Sequence, residues 1–200
     1  MIILNCEQNS PEWIEARLGI PTASSFNKIV DSKGNPSKQR EKYLYECVGE
    51  VVSGEPKDSY TNGNMDRGHE REEEARNAYS LIYDVEVVQV GFVFFDEKRE
   101  FGCSPDGLVG DDGLLELKDA APHIHLERLE KGWSEAQYKQ QVQGQLYVTG
   151  RKWCDLQSYS RGFQPLVIRY ERDEEFIKKL AIEIRMFNDD MKTLIKKYSL

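Results

Sequence analysis

The 200-residue sequence lacks long apolar runs and has only four cysteines and three histidines. No apolar stretch approaches the roughly 20 residues that cross a bilayer, so we expect no membrane association. The first residues show no basic segment followed by an apolar one, so we expect no signal peptide and a cytoplasmic protein. The cysteines are scattered along the chain, a spacing that matches neither a zinc site nor an iron–sulfur cluster and indicates reduced thiols.

Motifs of nucleophilic and nucleotide-hydrolysing enzymes are also missing. The chain has no glycine-rich phosphate loop and no Gly-x-Ser-x-Gly, which argues against triphosphate hydrolysis and serine catalysis. The net charge of −8 argues against indiscriminate coating of nucleic acids. It is compatible with a metal-dependent nuclease, because such an enzyme needs several carboxylates and can keep its basic residues in one channel.

The order of helical and strand patterns predicts a single α/β domain, residues 1–200, with a mixed central β-sheet flanked by helices. We expect N-terminal helices within 10–53, a core over about 66–171 and a C-terminal helix over about 173–199. Within the N-terminal part we predict a second helix through 24–30, a third over 40–52 and a polar loop to 64. A charged helix over 66–82 follows, and then strands at about 85–95, 100–109 and 113–119. The remaining predictions are a loop with Pro122, His123 and His125, a helix at about 134–149, and strands at about 152–159 and 164–171.

The most informative segment runs from Ser104 to Lys118. Because strand side chains alternate between faces, Glu116 and Lys118 project together. A hairpin turning at Asp112-Gly113 would bring Asp106 beside Glu116. Two carboxylates and one ammonium at a polar sheet edge form a divalent-metal site with a lysine near the attacking water, the chemistry of phosphodiester hydrolysis. The alternative is a solvated sheet face, since short patterns of this kind also arise by chance.

Other polar residues have matching roles. Glu72 on the charged helix lies one turn before Ala75, which places it toward the same site if Ala75 faces the core. Gln141 interrupts the apolar pattern of the later helix, as a residue presented to water or phosphate would, although an ordinary amphipathic helix looks the same. Three side chains are suited to bind a phosphate: the guanidinium of Arg17 and the hydroxyls of Ser24 and Ser104. Arg17 equally suits a helix C-terminus, where it opposes the dipole.

Five ordered blocks of the sequence resemble the lambda-type phage exonucleases (viral recombinase exonucleases), within the restriction-endonuclease-like PD-(D/E)XK nuclease superfamily. The blocks are Trp13-x3-Arg17-Leu18-Gly19 with Thr22-Ala23-Ser24, Gly68-x3-Glu72-x2-Ala75-Arg76, Cys103-Ser104-Pro105-Asp106-Gly107-Leu108, Leu115-Glu116-Leu117-Lys118, and Gln141-Val142-Gln143 with Val148-Thr149. Blocks in this order along most of the chain are far more specific than the acidic pattern alone.

The resemblance implies a restriction-endonuclease-like core and a Mg²⁺ site, with Mn²⁺ as a substitute. Asp106, Glu116 and Glu72 would hold the metal, Lys118 would orient or deprotonate the attacking water, and Gln141 would help to position it. The terminal 5′-phosphate would be bound by Arg17, Ser24 and Ser104. The family places an arginine shortly after the catalytic lysine, whereas this chain has none before Arg128; His123 or His125 are candidates to replace it.

As a function, the resemblance implies 5′-to-3′ digestion of one strand of linear double-stranded DNA. The remaining 3′ single strand would serve recombination by strand annealing, with a single-strand annealing protein as partner and a ring-shaped homotrimer as the assembly. The location would be the cytoplasm, for a protein encoded by a bacterial host or a prophage. Two alternatives remain: an endonuclease or repair nuclease of the same superfamily, and a non-catalytic DNA-end-binding partner of an annealing protein.

Overall fold

The computed structural model describes residues 1–57 and 65–199, without the side chains of residues 65–69 and 135. The polar loop predicted to reach residue 64 therefore lies largely outside the described residues. The elements described are β1 (Ile2–Leu4), α1 (Pro11–Arg17), α2 (Arg40–Ser53), α3 (Met65–Tyr83), β2 (Val87–Val88), β3 (Phe92–Phe94), β4 (Gly102–Cys103), β5 (Gly107–Val109), β6 (Gly113–Asp119), α4 (Pro122–Lys131), α5 (Lys139–Thr149), β7 (Trp153–Tyr159), β8 (Leu166–Glu171) and α6 (Glu174–Tyr198), with short 3-10 helices at Ala23–Lys28 and Glu135–Gln137.

The central sheet has five strands in the order β2-β5-β6-β7-β8. The β6–β7 pair is parallel and the other pairs are antiparallel, so the sheet is mixed, as predicted. A second, three-stranded antiparallel sheet has the order β1-β3-β4. Among the described helices, none combines the length and apolar character that crossing a bilayer requires.

Two of the predicted strands are wrong. The segments 85–95 and 100–109 each divide into two short strands that enter different sheets. Pro105 separates β4 from β5, because proline has no N–H to continue a ladder. Gly91 separates β2 from β3 at a close backbone approach, where an added Cβ would lie 2.4 Å from the Cys6 carbonyl oxygen. The chain therefore changes sheet at both residues.

Two helical predictions also need correction. The second predicted helix is a 3-10 helix, Ala23–Lys28, in which Ala23 and Phe26 share the buried face that a three-residue repeat produces. The segment predicted as a loop after β6 is the helix α4. Its start at Pro122 suits the first helical turn, where the missing N–H costs nothing. Its apolar side chains Leu126 and Leu129 remain exposed.

Two helices enclose the middle of the central sheet from opposite faces. Leu115 and Leu117 of β6 pack against Ala75 and Tyr79 of α3. Leu114, which points to the other face, joins the main core together with the apolar side chains of α5. Because strand residues alternate, Glu116 and Lys118 lie on the α5 side of the sheet. The fold thus places the predicted acidic and basic residues beneath a helix.

Candidate active site

The β5–β6 hairpin brings Asp106 next to Glu116. Gly107 pairs with Leu115, so the preceding Asp106 faces Glu116 across the two strands. The Leu117 N–H donates a 2.6 Å hydrogen bond to Asp106 Oδ2 and fixes the carboxylate there. The turn differs from the predicted Asp112-Gly113 pair, since residue 113 already pairs in the ladder. The loop covers residues 110–112 instead, with residue 110 at φ 51°, a value that favours glycine.

Glu116 lies in the middle of the sheet and not at a polar edge, which corrects the sequence prediction. Pairing of β6 with both β5 and β7 makes it an interior strand, and the Glu116 side chain is only 3% exposed. Three side chains satisfy its carboxylate. Lys118 Nζ and Gln141 Nε2 donate to Oε1 at 2.5 and 2.6 Å, and Gln145 Nε2 donates to Oε2 at 2.6 Å.

Gln145 is a site residue that the sequence interpretation missed. It lies one helical turn after Gln141 on α5 and is buried, so both amides present the same helix face to Glu116. The signal in the sequence was the four-residue spacing of Gln141 and Gln145, in a helix that carries four glutamines. A buried amide in such a helix costs free energy unless it is hydrogen-bonded, which indicates a fixed polar partner.

The electrostatics show how closely the acidic groups are packed. Burial, together with the charge of Glu116, raises the pKa of Asp106 well above its usual range, and Glu72 contributes in the same direction. Burial by itself would lower the pKa of Lys118, but the charges of Glu116 and Asp106 outweigh it, and the pKa is raised. Lys118 is therefore a protonated ammonium that only partly balances the carboxylates.

Glu72 is partly buried on α3, one turn before Ala75, which faces the core as expected. From the same helix, Arg76 Nε donates a 3.1 Å hydrogen bond to the Asp106 carbonyl oxygen. This contact anchors the start of β5 to α3. Arg76 thus holds the backbone of the candidate site, a role that the sequence interpretation did not assign.

The donor chemistry fits a hard divalent cation, although no ready-made cluster of three ligands exists among the described residues. Mg²⁺ typically uses one or two carboxylates together with water and substrate phosphates, and Asp106 and Glu116 supply two carboxylates. Burial first and the charge of Glu116 second raise the pKa of Asp106, and a bound cation would act in the opposite direction. The donor atoms and the local charge are both suited to a cation beside Asp106 and Glu116.

Two of the three predicted phosphate ligands, Arg17 and Ser104, contact the same tryptophan. The Arg17 guanidinium stacks on the Trp13 ring, 3.8 Å from its centroid. Trp13 Nε1 donates to Ser104 Oγ at 2.9 Å and to the Gly91 carbonyl oxygen at 3.2 Å. Because the Ser104 hydroxyl oxygen accepts a hydrogen bond from the indole N–H, the hydroxyl hydrogen remains available to donate to an anion.

Ser24 lies on the neighbouring segment and is exposed. Its hydroxyl is 3.1 Å from that of Thr22. Thr22 forms a parallel bridge with Gly102, so the chains leading to Ser24 and Ser104 run side by side in the same direction. The structure therefore brings the three predicted phosphate ligands to one region of the molecule.

Of the two histidines suggested as substitutes for the missing arginine, His125 is committed to other contacts. His125 is fully buried, with Nδ1 2.8 Å from Ser158 Oγ and Nε2 2.9 Å from the Gln164 carbonyl oxygen. Both ring nitrogens are thus occupied in anchoring α4 to the sheet. His123 is exposed on the same helix. Arg128 donates to Ser158 Oγ at 2.8 Å and shares the anchoring role.

Comparisons with known proteins identify both a family and a fold for the chain. Residues 12–152 match the model of the YqaJ-like viral recombinase domain. The chain is similar to the crystal structure of an alkaline exonuclease (LHK-Exo) from Laribacter hongkongensis, with 33% identity, coverage of 94% of this chain and 95% of that one, and a TM-score of 0.82. The LHK-Exo complex with dAMP gives the same values.

A phage-related exonuclease from Haemophilus somnus 129PT aligns with a TM-score of 0.69 at 16% identity, covering 90% of this chain and 96% of that one, which shows a shared fold. Among curated proteins, none matches the chain. The fold is that of the restriction-endonuclease-like exonucleases, as predicted.

Proposed function

The chain belongs to the YqaJ-like viral recombinase family, and from this membership we propose that it is a metal-dependent 5′-to-3′ exonuclease. Its substrate is linear double-stranded DNA, of which it digests one strand and leaves a 3′ single strand. The observation that carries the proposal is the environment of Glu116. A buried carboxylate adjoining Asp106, hydrogen-bonded by Lys118 and by two amides of α5, has the composition of a phosphodiester-hydrolysing centre.

Each residue has a distinct role in this proposal. Asp106 and Glu116 would hold Mg²⁺, or Mn²⁺ as a substitute, with Glu72 as a further ligand. When bound, the cation would polarise the phosphoryl oxygens and lower the pKa of bound water. Lys118, a protonated ammonium, donates to the attacking water and orients it. Gln141 positions the same water through its amide.

The 5′ end of the digested strand binds at Arg17. The guanidinium and the hydroxyls of Ser24 and Ser104 bind the terminal 5′-phosphate, and Trp13 supports two of the three ligands. Recognition of an end phosphate at a fixed distance from the hydrolytic centre makes the enzyme dependent on DNA ends. It also gives digestion a direction.

The family membership supports a biological setting. The 3′ single strand serves recombination by annealing, with a single-strand annealing protein as partner, in the cytoplasm of a bacterial host. The active assembly is a homo-oligomer, a ring-shaped trimer around the duplex. Such a ring would let an acidic chain direct its basic residues toward the DNA.

The test compares linear duplex DNA with a covalently closed circle of the same sequence. We expect Mg²⁺-dependent release of nucleotides from the linear form, no cutting of the circle, and no activity in EDTA or in Asp106→Asn. Cutting of the circle would favour an endonuclease or repair nuclease. If the protein binds DNA ends and hydrolyses none under any metal condition, the result would favour a non-catalytic DNA-end-binding partner of an annealing protein.

A further inference from the structure

A second buried carboxylate, that of Asp155, lies on the opposite face of the central sheet from Glu116. Asp155 is 2% exposed and pairs with Leu115 in the parallel register of β6 and β7. Paired residues of neighbouring strands point to the same face, and Leu115 packs against α3, so Asp155 also projects toward α3. Burial of a charge is costly unless the charge is paired and hydrogen-bonded, so the partners of Asp155 indicate its role.

Asp155 accepts hydrogen bonds from the sheet and from α3. Arg169 of β8 donates from Nε to Oδ1 at 2.7 Å and from Nη2 to Oδ2 at 2.8 Å, and its guanidinium stacks 3.8 Å from the centroid of Trp153. From α3, the Tyr79 hydroxyl donates to Oδ2 at 2.6 Å. Burial first, and then the hydrogen bond to Asp155, raise the pKa of Tyr79, so the phenol stays protonated and remains a donor. The carboxylate thus links one turn of α3 to two strands.

Gln157 makes a second attachment to the same helix. It lies two residues after Asp155 on β7, so its side chain projects to the same face. Its Nε2 donates to the Ala75 carbonyl oxygen at 2.8 Å. Gln157 is fully buried, and its Oε1 has no hydrogen-bond partner within the part of the chain that the structure describes. Because a buried oxygen without a partner is unfavourable, packing alone would favour an apolar residue here. The contact that its amide makes with α3 is the better account of this glutamine.

These attachments lie on the face of α3 that carries Glu72. Helix residues three, four and seven apart share a face, and Ala75 and Tyr79 lie three and seven residues after Glu72. Arg76 adds a further contact through its 3.1 Å hydrogen bond to the Asp106 carbonyl oxygen. The charge of Glu72 also contributes to the raised pKa of Asp106, which shows that the two carboxylates interact. The anchored part of α3 is therefore the two turns that follow Glu72.

We propose that Tyr79, Asp155 and Gln157 are positioning residues for the metal site, and that they act by fixing Glu72 beside Asp106. The inference rests on the proposed function, in which Glu72 is a further metal ligand, and adds the groups that set its position. Apolar packing of α3 on the sheet is non-directional and permits small shifts of the helix along its axis. Hydrogen bonds at fixed points of α3 are directional and oppose such shifts.

The test measures Mn²⁺ binding to the DNA-free protein by isothermal titration calorimetry. Tyr79→Phe removes one hydroxyl and keeps the ring, and the loss of one net hydrogen bond should raise the Kd for Mn²⁺ by roughly three- to tenfold. Gln157→Leu should raise it similarly. Since leucine also eliminates the unsatisfied Oε1, its melting temperature should not fall below that of wild type. Tyr43→Phe, which alters a buried tyrosine of α2 in the main core, is the matched control and should keep the wild-type Kd.

A double-mutant cycle separates positioning from general stability. Glu72→Gln alone should weaken Mn²⁺ binding, and Tyr79→Phe added to Glu72→Gln should weaken it no further, because the network acts through Glu72. The half-saturating Mn²⁺ concentration for digestion of linear duplex DNA should follow the same pattern.

Each contrary outcome has its own meaning. Equal losses with and without Glu72, or wild-type affinity in both Tyr79→Phe and Gln157→Leu, would overturn the positioning role. Wild-type affinity and metal requirement in Glu72→Gln would overturn the metal role of Glu72 on which the inference rests. Absence of metal-dependent hydrolysis by the wild-type protein would instead overturn the proposed function as a whole.

Discussion

Replacement of Gln145 by leucine probes how the protein holds Glu116. Leucine is somewhat larger than glutamine and has no polar atoms, so Gln145→Leu removes the 2.6 Å hydrogen bond to Glu116 Oε2 without opening a cavity. The bond is buried, with Gln145 only 1% exposed, and its acceptor is a carboxylate. Hydrogen bonds to charged groups contribute about 1.5–3 kcal/mol, so the oriented state of the carboxylate should lose roughly ten- to a hundredfold in population. Losses of this size are typical when a residue that orients a metal ligand is removed.

The assay is a titration of initial cleavage rate against Mg²⁺ concentration. We expect the half-saturating concentration in Gln145→Leu to rise by about ten- to a hundredfold, with much of the maximal rate recovered at saturation. Gln143→Leu is the matched control on the same helix. Gln143 donates to the Glu171 carbonyl oxygen and accepts from the Asp173 N–H, so its loss should lower the melting temperature and leave the metal requirement unchanged. Superimposable metal titrations of wild type and Gln145→Leu would refute the reasoning.

Three further results follow from the site. Lys118→Ala should abolish cleavage while duplex binding in a gel-shift assay persists, because phosphate contacts elsewhere supply most of the affinity; near wild-type cleavage would exclude Lys118 from the chemistry. Arg17→Ala should slow digestion of a 5′-phosphorylated end by roughly ten- to a hundredfold and of a 5′-hydroxyl end little, whereas equal slowing would leave Arg17 a structural residue. Asp106→Asn should melt at a higher temperature than wild type in EDTA at neutral pH. The pKa of Asp106 is raised in the folded protein relative to the unfolded chain. The free energy of unfolding therefore falls as pH rises from the pKa of the unfolded chain toward that of the folded protein. An asparagine carries no titrating proton and avoids this loss. The higher melting temperature of Asp106→Asn should vanish at pH values below the usual pKa of a carboxyl group. A lower melting temperature than wild type at neutral pH would contradict a raised pKa of Asp106.

The proximity of the acidic residues was predictable from local rules. Strand alternation put Glu116 and Lys118 on one face, and a short hairpin brought Asp106 opposite Glu116. The start of α6 was also predictable, because Asp173 caps the helix by accepting from the Phe176 N–H at 2.9 Å. These features depend on residues close together in the chain.

The depth of the site was not predictable in the same way. Burial of Glu116 follows from the parallel pairing of β6 with β7, which join across α4 and α5, and no local pattern specifies that partner. The role of His125 likewise depends on Ser158 and Gln164, more than thirty residues further along the chain. A histidine in a polar segment looked available, whereas the fold buries it completely. Non-local packing decided both outcomes.

The central claim is that the enzyme digests one strand of linear duplex DNA from its 5′ end. Linear duplexes labelled on one strand, either at the 5′ or at the 3′ terminus, test it directly in Mg²⁺. We predict immediate release of the 5′ label as a mononucleotide, with the 3′ label retained on strands that shorten progressively. Early release of the 3′ label as a mononucleotide, or activity undiminished in EDTA, would contradict the account.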